Sequence, residues 1–218
     1  MGSPLTVDEL FIADPPDAWR GAGFDVQGDL CVAGTVRLRL QDALGGRGIA
    51  GWSVRGVGTL DLDGLPTSAS TAPPPQAPDT PHPNGVTGID HIVAITPDLA
   101  RTTSTLREAG FDLRREREGP TPGGSRRQSF FRMGEVILEL VEAPGGTRIA
   151  DDPAGPARLW GVSFLVAQLH HTAATLGDLL GEPRAAVQPG REIATLRKEA
   201  GLGPAIAFMT PGPGAITV

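Results

Sequence analysis

The sequence predicts an α+β fold in which paired βαβββ units form a half-open barrel, with a truncated copy of the same unit at the N-terminus. Two observations support this fold class. Strand-like and helix-like segments recur in the same order, so that the later part of the chain aligns with itself, and a Pro-rich segment separates that part from a shorter N-terminal part. The chain has 218 residues, 39% of them hydrophobic, which is enough for a packed core.

Residues 66–85, PTSASTAPPPQAPDTPHPNG, divide the chain because they contain almost no large apolar residue. This composition cannot bury a core and is typical of a semi-extended linker. We therefore expect a degenerate βαβββ-like module over residues 1–65 and a two-unit domain over residues 86–218. The N-terminal module alone would expose an apolar sheet face, so we expect it to pack on the main domain or on a second chain.

The first unit of the main domain follows the order β-α-β-β-β. GIDHIVAIT, residues 88–96, alternates apolar residues at the strand period. Residues 96–110 predict a helix that Thr96 caps and Gly110 ends. Three further strands are expected at residues 111–118, 125–132 and 136–142, and the last two form a hairpin around the turn MGE.

The second unit repeats this order. LWGVSFLVA, residues 159–167, predicts a strand, and residues 169–181 predict a helix because Leu and Ala recur on one face. The late strands are expected within REIATLR, residues 191–197, and AIAFMT, residues 205–210.

Charge and apolar runs exclude several classes of partner. The formal net charge of −6 argues against a nucleic-acid partner. No apolar run approaches the 18 residues that a membrane span needs, so we expect no membrane association. The first residues do not combine a charged region with a long apolar stretch, so we expect no signal peptide and a cytoplasmic protein.

The paired pattern, with GIDHIVAITPDL opening one copy and VILELVE closing it, resembles the vicinal oxygen chelate superfamily. This glyoxalase-like group includes glyoxalase I, bleomycin-resistance proteins, methylmalonyl-CoA epimerase and extradiol dioxygenases. The resemblance implies a cup in which the first strand of each unit gives a His or Gln and the last strand a Glu. Together these residues hold a divalent metal.

The resemblance places His91 and Glu139 on the ligand positions of the first unit, and Gly161 and Phe208 on those of the second. Neither of the latter can bind a metal through its side chain, so only two ligands remain where three or four are usual. We therefore expect no cofactor. The alternative is a divalent metal on His91 and Glu139 with a further ligand from Glu9, His82, His170 or His171.

Glu139 lies on an apolar strand, so its carboxylate needs a partner, and His91 is the candidate. The pair can act as a general acid and base, or it can be a structural ion pair, and the sequence leaves both open. Because side chains alternate along strands, an inward Glu139 implies that the side chains two positions away on its strand also point inward. The side chains opposite them on the paired strand share the same face. The residues expected to bind substrate are Gln128, Phe130, Arg132, Ser163, Thr195 and Phe208.

Three functions fit a mostly apolar pocket that holds a small organic molecule. The first is a metal-independent enzyme of the lyase or isomerase type with Glu139 and His91 as the acid–base pair. The second is a non-catalytic protein that binds or sequesters a small molecule, as the resemblance to bleomycin-resistance proteins implies. The third is a divalent-metal dioxygenase or glyoxalase. The superfamily often pairs units across dimers, so a homodimer is among the expected states.

Overall fold

The computed structural model describes residues 4–42, 47–121 and 124–212, which form two mixed β-sheets with helices packed beside them. The N-terminal sheet contains β1 (Thr6–Ile12), β2 (Leu30–Ala33), β3 (Val36–Leu40), β4 (Ile49–Arg55) and β5 (Thr67–Ser70). The main sheet contains β6 (Val86–Thr96), β7 (Asp112–Thr121), β8 (Gly124–Met133), β9 (Val136–Glu142), β10 (Arg158–Val166), β11 (Arg184–Ala185), β12 (Glu192–Thr195) and β13 (Ala205–Met209). The helices are α1 (Pro16–Gly21), α2 (Leu99–Glu108) and α3 (Leu169–Leu176), with short 3-10 turns at Gly177–Leu179 and Lys198–Ala200. Within these ranges, no helix has the length and apolar character needed to cross a lipid bilayer.

The main sheet consists of two units with the same strand order. Its eight strands run β11-β12-β13-β10-β6-β9-β8-β7, so in each half the first strand lies beside the last strand of its own unit. Those two strands pair in parallel, β6 with β9 and β10 with β13. The halves join where β6 and β10 pair antiparallel. The predicted α+β class and the paired βαβββ units are therefore confirmed, with an open rather than a closed sheet.

The β8–β9 hairpin has the register that the turn MGE predicts. Phe130 pairs with Glu139 and Arg132 pairs with Ile137. Gly134 occupies the turn with φ +69°, a left-handed conformation that glycine adopts without strain. The hairpin therefore fixes which β9 side chains share a face with those of β8.

Helix α2 begins two residues later than the sequence pattern indicates. The capping side chain is Asp98, which accepts a hydrogen bond from the backbone N–H of Arg101 at 3.0 Å. The hydroxyl of Thr96 instead accepts the N–H of Asp98 at 3.2 Å, inside the turn before the helix. The expected Thr96 cap is therefore wrong, because the strand extends through Thr96 and an aspartate follows it at the position where helical N–H groups need an acceptor.

The N-terminal sheet repeats the central pairing of the main sheet with fewer strands. Strand β1 pairs in parallel with β3, and β4 pairs antiparallel with β1, as β10 does with β6. Strand β5 pairs in parallel with β4 and starts inside the segment interpreted as a linker. At the other end of that segment, His82 and Asn84 are buried. Residues 66–85 therefore contribute an edge strand and core contacts in addition to joining the two sheets.

The two sheets share one hydrophobic core. Trp19 and Phe24 of the N-terminal module contact Phe164 of the main sheet, with ring centroids 6.2 and 5.0 Å apart. Trp52 stacks on Phe111 at 6.2 Å. The N-terminal module therefore covers one face of the main sheet. This agrees with the expectation that the apolar face of the module packs on the main domain. The opposite face remains available for a ligand.

Candidate functional site

The uncovered face of the main sheet curls around a cavity of about 620 Å³. Both units contribute strands to its wall, which is largely apolar. A cavity of this size suits a small organic molecule. Among the residues that sequence analysis placed here, the wall includes His91, Gln128, Phe130, Glu139, Ser163 and Thr195.

His91, Gln128 and Glu139 line the cavity together and form its polar floor, and Asp90 and Arg191 continue the chain of polar contacts behind them. His91 lies at its centre, with Nδ1 2.7 Å from Asp90 Oδ2 and Nε2 3.4 Å from Glu139 Oε2. The other oxygen of Glu139 accepts a hydrogen bond from the Gln128 amide. The side chains of Asp90, His91 and Glu139 are only 16–18% exposed, so water screens these contacts weakly. The predicted proximity of His91 and Glu139 is therefore confirmed.

Asp90 joins this chain because strand β6 carries a bulge. His91 pairs with Ser163 of β10, but the next pair in the ladder is Ile89 with Phe164, so Asp90 has no partner in the register. Regular alternation would send the side chains of residues 90 and 91 to opposite faces. The bulge re-aims Asp90 so that its carboxylate lies beside the His91 ring.

Arg191 anchors the far end of the polar chain. Its Nη2 donates to Asp90 Oδ1 at 2.5 Å, and its Nε donates to the carbonyl of Thr210 at 2.7 Å. Burial alone would raise the pKa of Asp90, but the hydrogen bonds from His91 and Arg191 outweigh burial and hold that pKa below its ordinary value. Asp90 is therefore a stable anion that orients the imidazole of His91.

Two buried polar atoms of the cavity wall have no hydrogen-bond partner among the described residues. They are Ser163 Oγ and Gln128 Oε1, on side chains that are 1% and 6% exposed. Ser163 lies directly across the β6–β10 pair from His91. Buried polar atoms without partners are rare, because leaving one unsatisfied costs about 1–3 kcal/mol. Both atoms are available to a bound ligand beside the carboxylate of Glu139.

Three arginines add positive charge to the cavity wall. Arg117 lies on edge strand β7, Arg184 lies on the opposite edge strand β11, and Arg126 lies on β8. Their sequence positions do not indicate a place in the site, because long Arg side chains on polar strands are usually solvated. The guanidinium groups of Arg117 and Arg184 can pair with an acidic substituent of a ligand in this largely apolar cavity.

Two residues predicted to bind substrate lie elsewhere. Phe208 is fully buried on the opposite face of the sheet, where its ring packs 6.1 Å from Phe164. The cavity-facing residue at the position equivalent to Glu139 is Ala207, because β13 pairs Ser163 with Ala207 as β9 pairs Val93 with Glu139. The prediction that Phe208 lines the cavity was therefore wrong by one position along β13. Arg132 is exposed, bonds the carbonyl of Gly134 at 3.0 Å and does not line the cavity.

The donor set does not fit the metal site that the superfamily implies. The second unit offers Gly161 and Ala207, and a Cβ at Gly161 would lie 2.6 Å from the carbonyl oxygen of Ala205, so no ligand side chain fits there without a backbone shift. Within residues 4–42, 47–121 and 124–212, no group of three His, Cys, Asp or Glu side chains has the proximity to hold a metal ion.

The candidates for an additional ligand are engaged elsewhere or exposed. Glu9 accepts a hydrogen bond from Arg39 on the N-terminal sheet, and His82 bonds backbone groups of Asp25 and Val32. His171 contacts the carbonyl of Pro83, and His170 is exposed on α3.

No protein-family model matches the chain, and no curated protein matches it in sequence. Solved structures do match it. Methylmalonyl-CoA epimerase from Mycobacterium tuberculosis is 18% identical over 59% of this chain and 91% of its own, with a TM-score of 0.49. A variant of the Streptomyces coelicolor methylmalonyl-CoA epimerase in complex with 2-nitronate-propionyl-CoA is 22% identical over 61% and 99%, also with a TM-score of 0.49. These epimerases belong to the vicinal oxygen chelate superfamily, the group that the sequence resembles. The fold assignment rests on the strand order and register of the chain itself.

Proposed function

We propose that the protein is an enzyme of the isomerase or lyase type that moves a proton on a small organic acid bound in the cavity, with Glu139 as the base. The observation that carries this proposal is the pair of Glu139 and His91 on the floor of a largely apolar cavity, with the carboxylate of Asp90 behind the imidazole. An apolar wall binds the body of the substrate, and the polar floor supplies groups for proton transfer.

Glu139 is the proton acceptor because both of its carboxylate oxygens are held and its side chain still faces the cavity. Gln128 donates to one oxygen, and His91 Nε2 lies 3.4 Å from the other. Such positioning fixes the carboxylate for attack on an acidic C–H bond, and exclusion of bulk water strengthens its interactions. The proton moves from the substrate carbon to an oxygen of Glu139, and the electron pair of the C–H bond passes to the adjacent carbonyl as an enolate.

His91, Asp90 and Arg191 act behind this base. The ring of His91 lies with Nδ1 toward Asp90 and Nε2 toward Glu139. Asp90, fixed by Arg191, holds the ring in that orientation. His91 then serves as the second group of the acid–base pair, and the other two serve as positioning residues.

The enolate oxygen has a candidate partner in the Ser163 hydroxyl. This hydroxyl lies across from His91 and has no partner among the described residues, so it can donate to a developing oxyanion without breaking an existing hydrogen bond. Removal of one pre-organised donor of this kind commonly raises the activation free energy by about 2.7–4 kcal/mol. An acidic substituent of the substrate would bind at the rim, where Arg117 and Arg184 line the wall.

Solvent exchange tests the proposal without knowledge of the natural substrate. A panel of small carbonyl compounds with an acidic α-hydrogen, including 2-oxo acids, β-keto acids, simple thioesters and methylmalonyl-CoA, is incubated in D₂O with the protein and followed by proton NMR. We expect one class of compound to lose its α-hydrogen signal catalytically. Protein-detected NMR titrations of the same panel report binding separately.

The second candidate function is sequestration of a small molecule, and the largely apolar wall favours it. In that case, members of the panel would bind with saturation and protect the protein against heat, while every α-hydrogen signal persisted at the uncatalysed rate. This outcome would overturn the enzymatic proposal. Neither binding nor exchange across the panel would contradict both functions for this class of ligand.

A further inference from the structure

A second cavity, of about 730 Å³, lies where the N-terminal module meets the second unit of the main domain. Its wall is formed by the starts of β4, β10 and β13 and by the 3-10 turn Lys198–Ala200. Four cationic residues lie on this wall: Arg47, Arg158, Arg197 and Lys198. No Asp or Glu is among the described residues that line it, although the whole chain carries a net charge of −6. We call this cavity the cationic cleft.

Among the described residues, no ion pair neutralises the charges of the cationic cleft. Within the described part of the chain, Arg158, Arg197 and Lys198 have neither an ion pair nor a side-chain hydrogen bond. Arg47 donates to the carbonyl of Gly201 at 2.6 Å, which is an uncharged partner. Four like charges around one opening repel each other, so a bound anion with several negative charges would relieve this repulsion.

The cationic cleft adjoins the candidate site. Trp160, Thr195 and Ala205 line both cavities. Trp160 is 54% exposed, an unusual position for the largest side chain, and it borders both cavities. We infer from this shared border that a single extended molecule reaches from one cavity to the other.

The N-terminal module supplies one wall of the cationic cleft. The backbone N–H of Gly203 donates to Asp14 at 2.8 Å, which ties the loop before β13 to the N-terminal module. This approach requires glycine, because a Cβ at Gly203 would lie 2.3 Å from the backbone nitrogen of Gly48. Arg47 directly precedes Gly48, so the same contact brings Arg47 to the wall of the cationic cleft. The module thus completes a binding surface that the main domain alone would lack.

We propose that the cationic cleft binds a diphosphate group carried by the substrate at a distance from its reacting carbon. A diphosphate concentrates several negative charges in a compact group, which suits a wall that carries four cations. Guanidinium groups bind phosphate oxygens in pairs through their planar N–H groups, and the ammonium of Lys198 adds a point charge. A dicarboxylate spreads its charges along a carbon chain and fits the same cluster less closely. The proposal rests on the proposed function only in assigning both cavities to one substrate.

Binding of inorganic pyrophosphate tests the cleft directly. Isothermal titration at low ionic strength, where exposed cations are weakly screened, should give saturable binding at one site. The triple variant Arg158→Gln, Arg197→Gln and Lys198→Gln should bind at least about tenfold more weakly, because three charges are lost. Arg107→Gln is the matched control, since Arg107 is exposed on α2 and does not line the cleft, and it should leave affinity unchanged. Thermal unfolding checks that each variant is folded.

Three results would overturn the cleft proposal. They are an absence of saturable pyrophosphate binding to the unmodified protein, an equal loss of affinity in the control variant, and binding of succinate or tricarballylate as tight as that of pyrophosphate. The 2-oxo acids, β-keto acids and simple thioesters of the exchange panel carry no phosphate, so failure of the cleft leaves the test of Glu139 on these compounds intact. Conversely, pyrophosphate binding is measured without turnover.

Discussion

His91 Nε2 lies 3.4 Å from Glu139 Oε2, and the two residues come from neighbouring parallel strands, β6 and β9. The strands are offset so that His91 pairs with Ile137 and Val93 with Glu139, and the two side chains therefore meet diagonally on the cavity face. This contact links the fold to the proposed chemistry, because it depends on the parallel pairing of the first and last strands of one unit.

Protonation of Asp90 at acid pH should lower the free energy of unfolding. The pKa of Asp90 is lowered in the folded state, so its stabilising contribution is fully present above the ordinary Asp value near 3.8 and is lost as pH falls through the lower folded value. Asp90→Asn should reduce the free energy of unfolding at neutral pH, and the gap to the unmodified protein should narrow below about pH 4. Urea unfolding at several pH values measures both. A gap that is constant with pH would contradict the assigned role.

Acid should also loosen the attachment of the N-terminal module through His82. Its Nδ1 accepts the N–H of Asp25 at 2.9 Å and its Nε2 lies 3.0 Å from the carbonyl of Val32, so the neutral ring fits this site. Burial lowers the pKa of His82, although the bond to Val32 and the charge of Asp25 oppose that effect. Because the folded value lies below the ordinary 6.5, unfolding takes up a proton in this range and stability falls as pH drops below about 6.5.

The variant His82→Gln isolates this effect, because Gln can donate and accept hydrogen bonds but does not titrate. The slope of the free energy of unfolding against pH between about 6.5 and 5 should be smaller in the variant than in the unmodified protein. Equal slopes in the two proteins would show that another group is responsible.

Removal of the Ser163 hydroxyl should weaken ligand binding without lowering the stability of the protein. Its Oγ has no partner among the described residues, so Ser163→Ala should leave the free energy of unfolding unchanged or raise it by up to about 1 kcal/mol. Affinity for a ligand found in the exchange panel should fall by about tenfold, the equivalent of one lost hydrogen bond. Chemical denaturation and calorimetric titration measure the two effects. A loss of stability without a loss of affinity would assign the hydroxyl to the fold.

Phe208 should behave as a core residue. Its side chain is fully buried among Phe24 and Phe164, so Phe208→Ala should cost about 3–5 kcal/mol of stability. The matched variant is Phe130→Ala, because Phe130 is half-buried and lines the cavity. It should cost less stability and weaken ligand binding more. Urea midpoints and ligand titrations compare the two variants. A smaller loss of stability and a larger loss of ligand binding in Phe208→Ala than in Phe130→Ala would show that Phe208 contacts the ligand.

Periodicity and internal repetition were sufficient to predict most of the architecture. The paired units and the hairpin register follow from alternation along strands and from the position of one tight turn, whereas the meeting of His91 with Glu139 was expected from the resemblance to the superfamily. These features are regular, so a pattern of apolar residues encodes them. The covering of one sheet face by the N-terminal module follows from the same logic, because an apolar face must be buried.

The errors occur where the backbone departs from regularity. Asp90 was missed because a bulge, which leaves no clear trace in the apolar pattern, turns it toward His91. Phe208 was placed one residue out of register because β13 is short and apolar on both faces, so alternation does not define its cavity side. The cationic cleft joins residues far apart in the chain, and only the packing of the N-terminal module brings Arg47 near Arg197.

The central claim is that Glu139 removes a proton from a bound carbon acid. The most direct measurement is the rate of α-hydrogen exchange in D₂O for the best compound of the panel, compared between the unmodified protein and Glu139→Gln. The substituted amide keeps the shape of the side chain but cannot accept the proton, so we expect exchange to fall by at least about a hundredfold while ligand binding persists. An exchange rate that Glu139→Gln leaves unchanged would contradict the account.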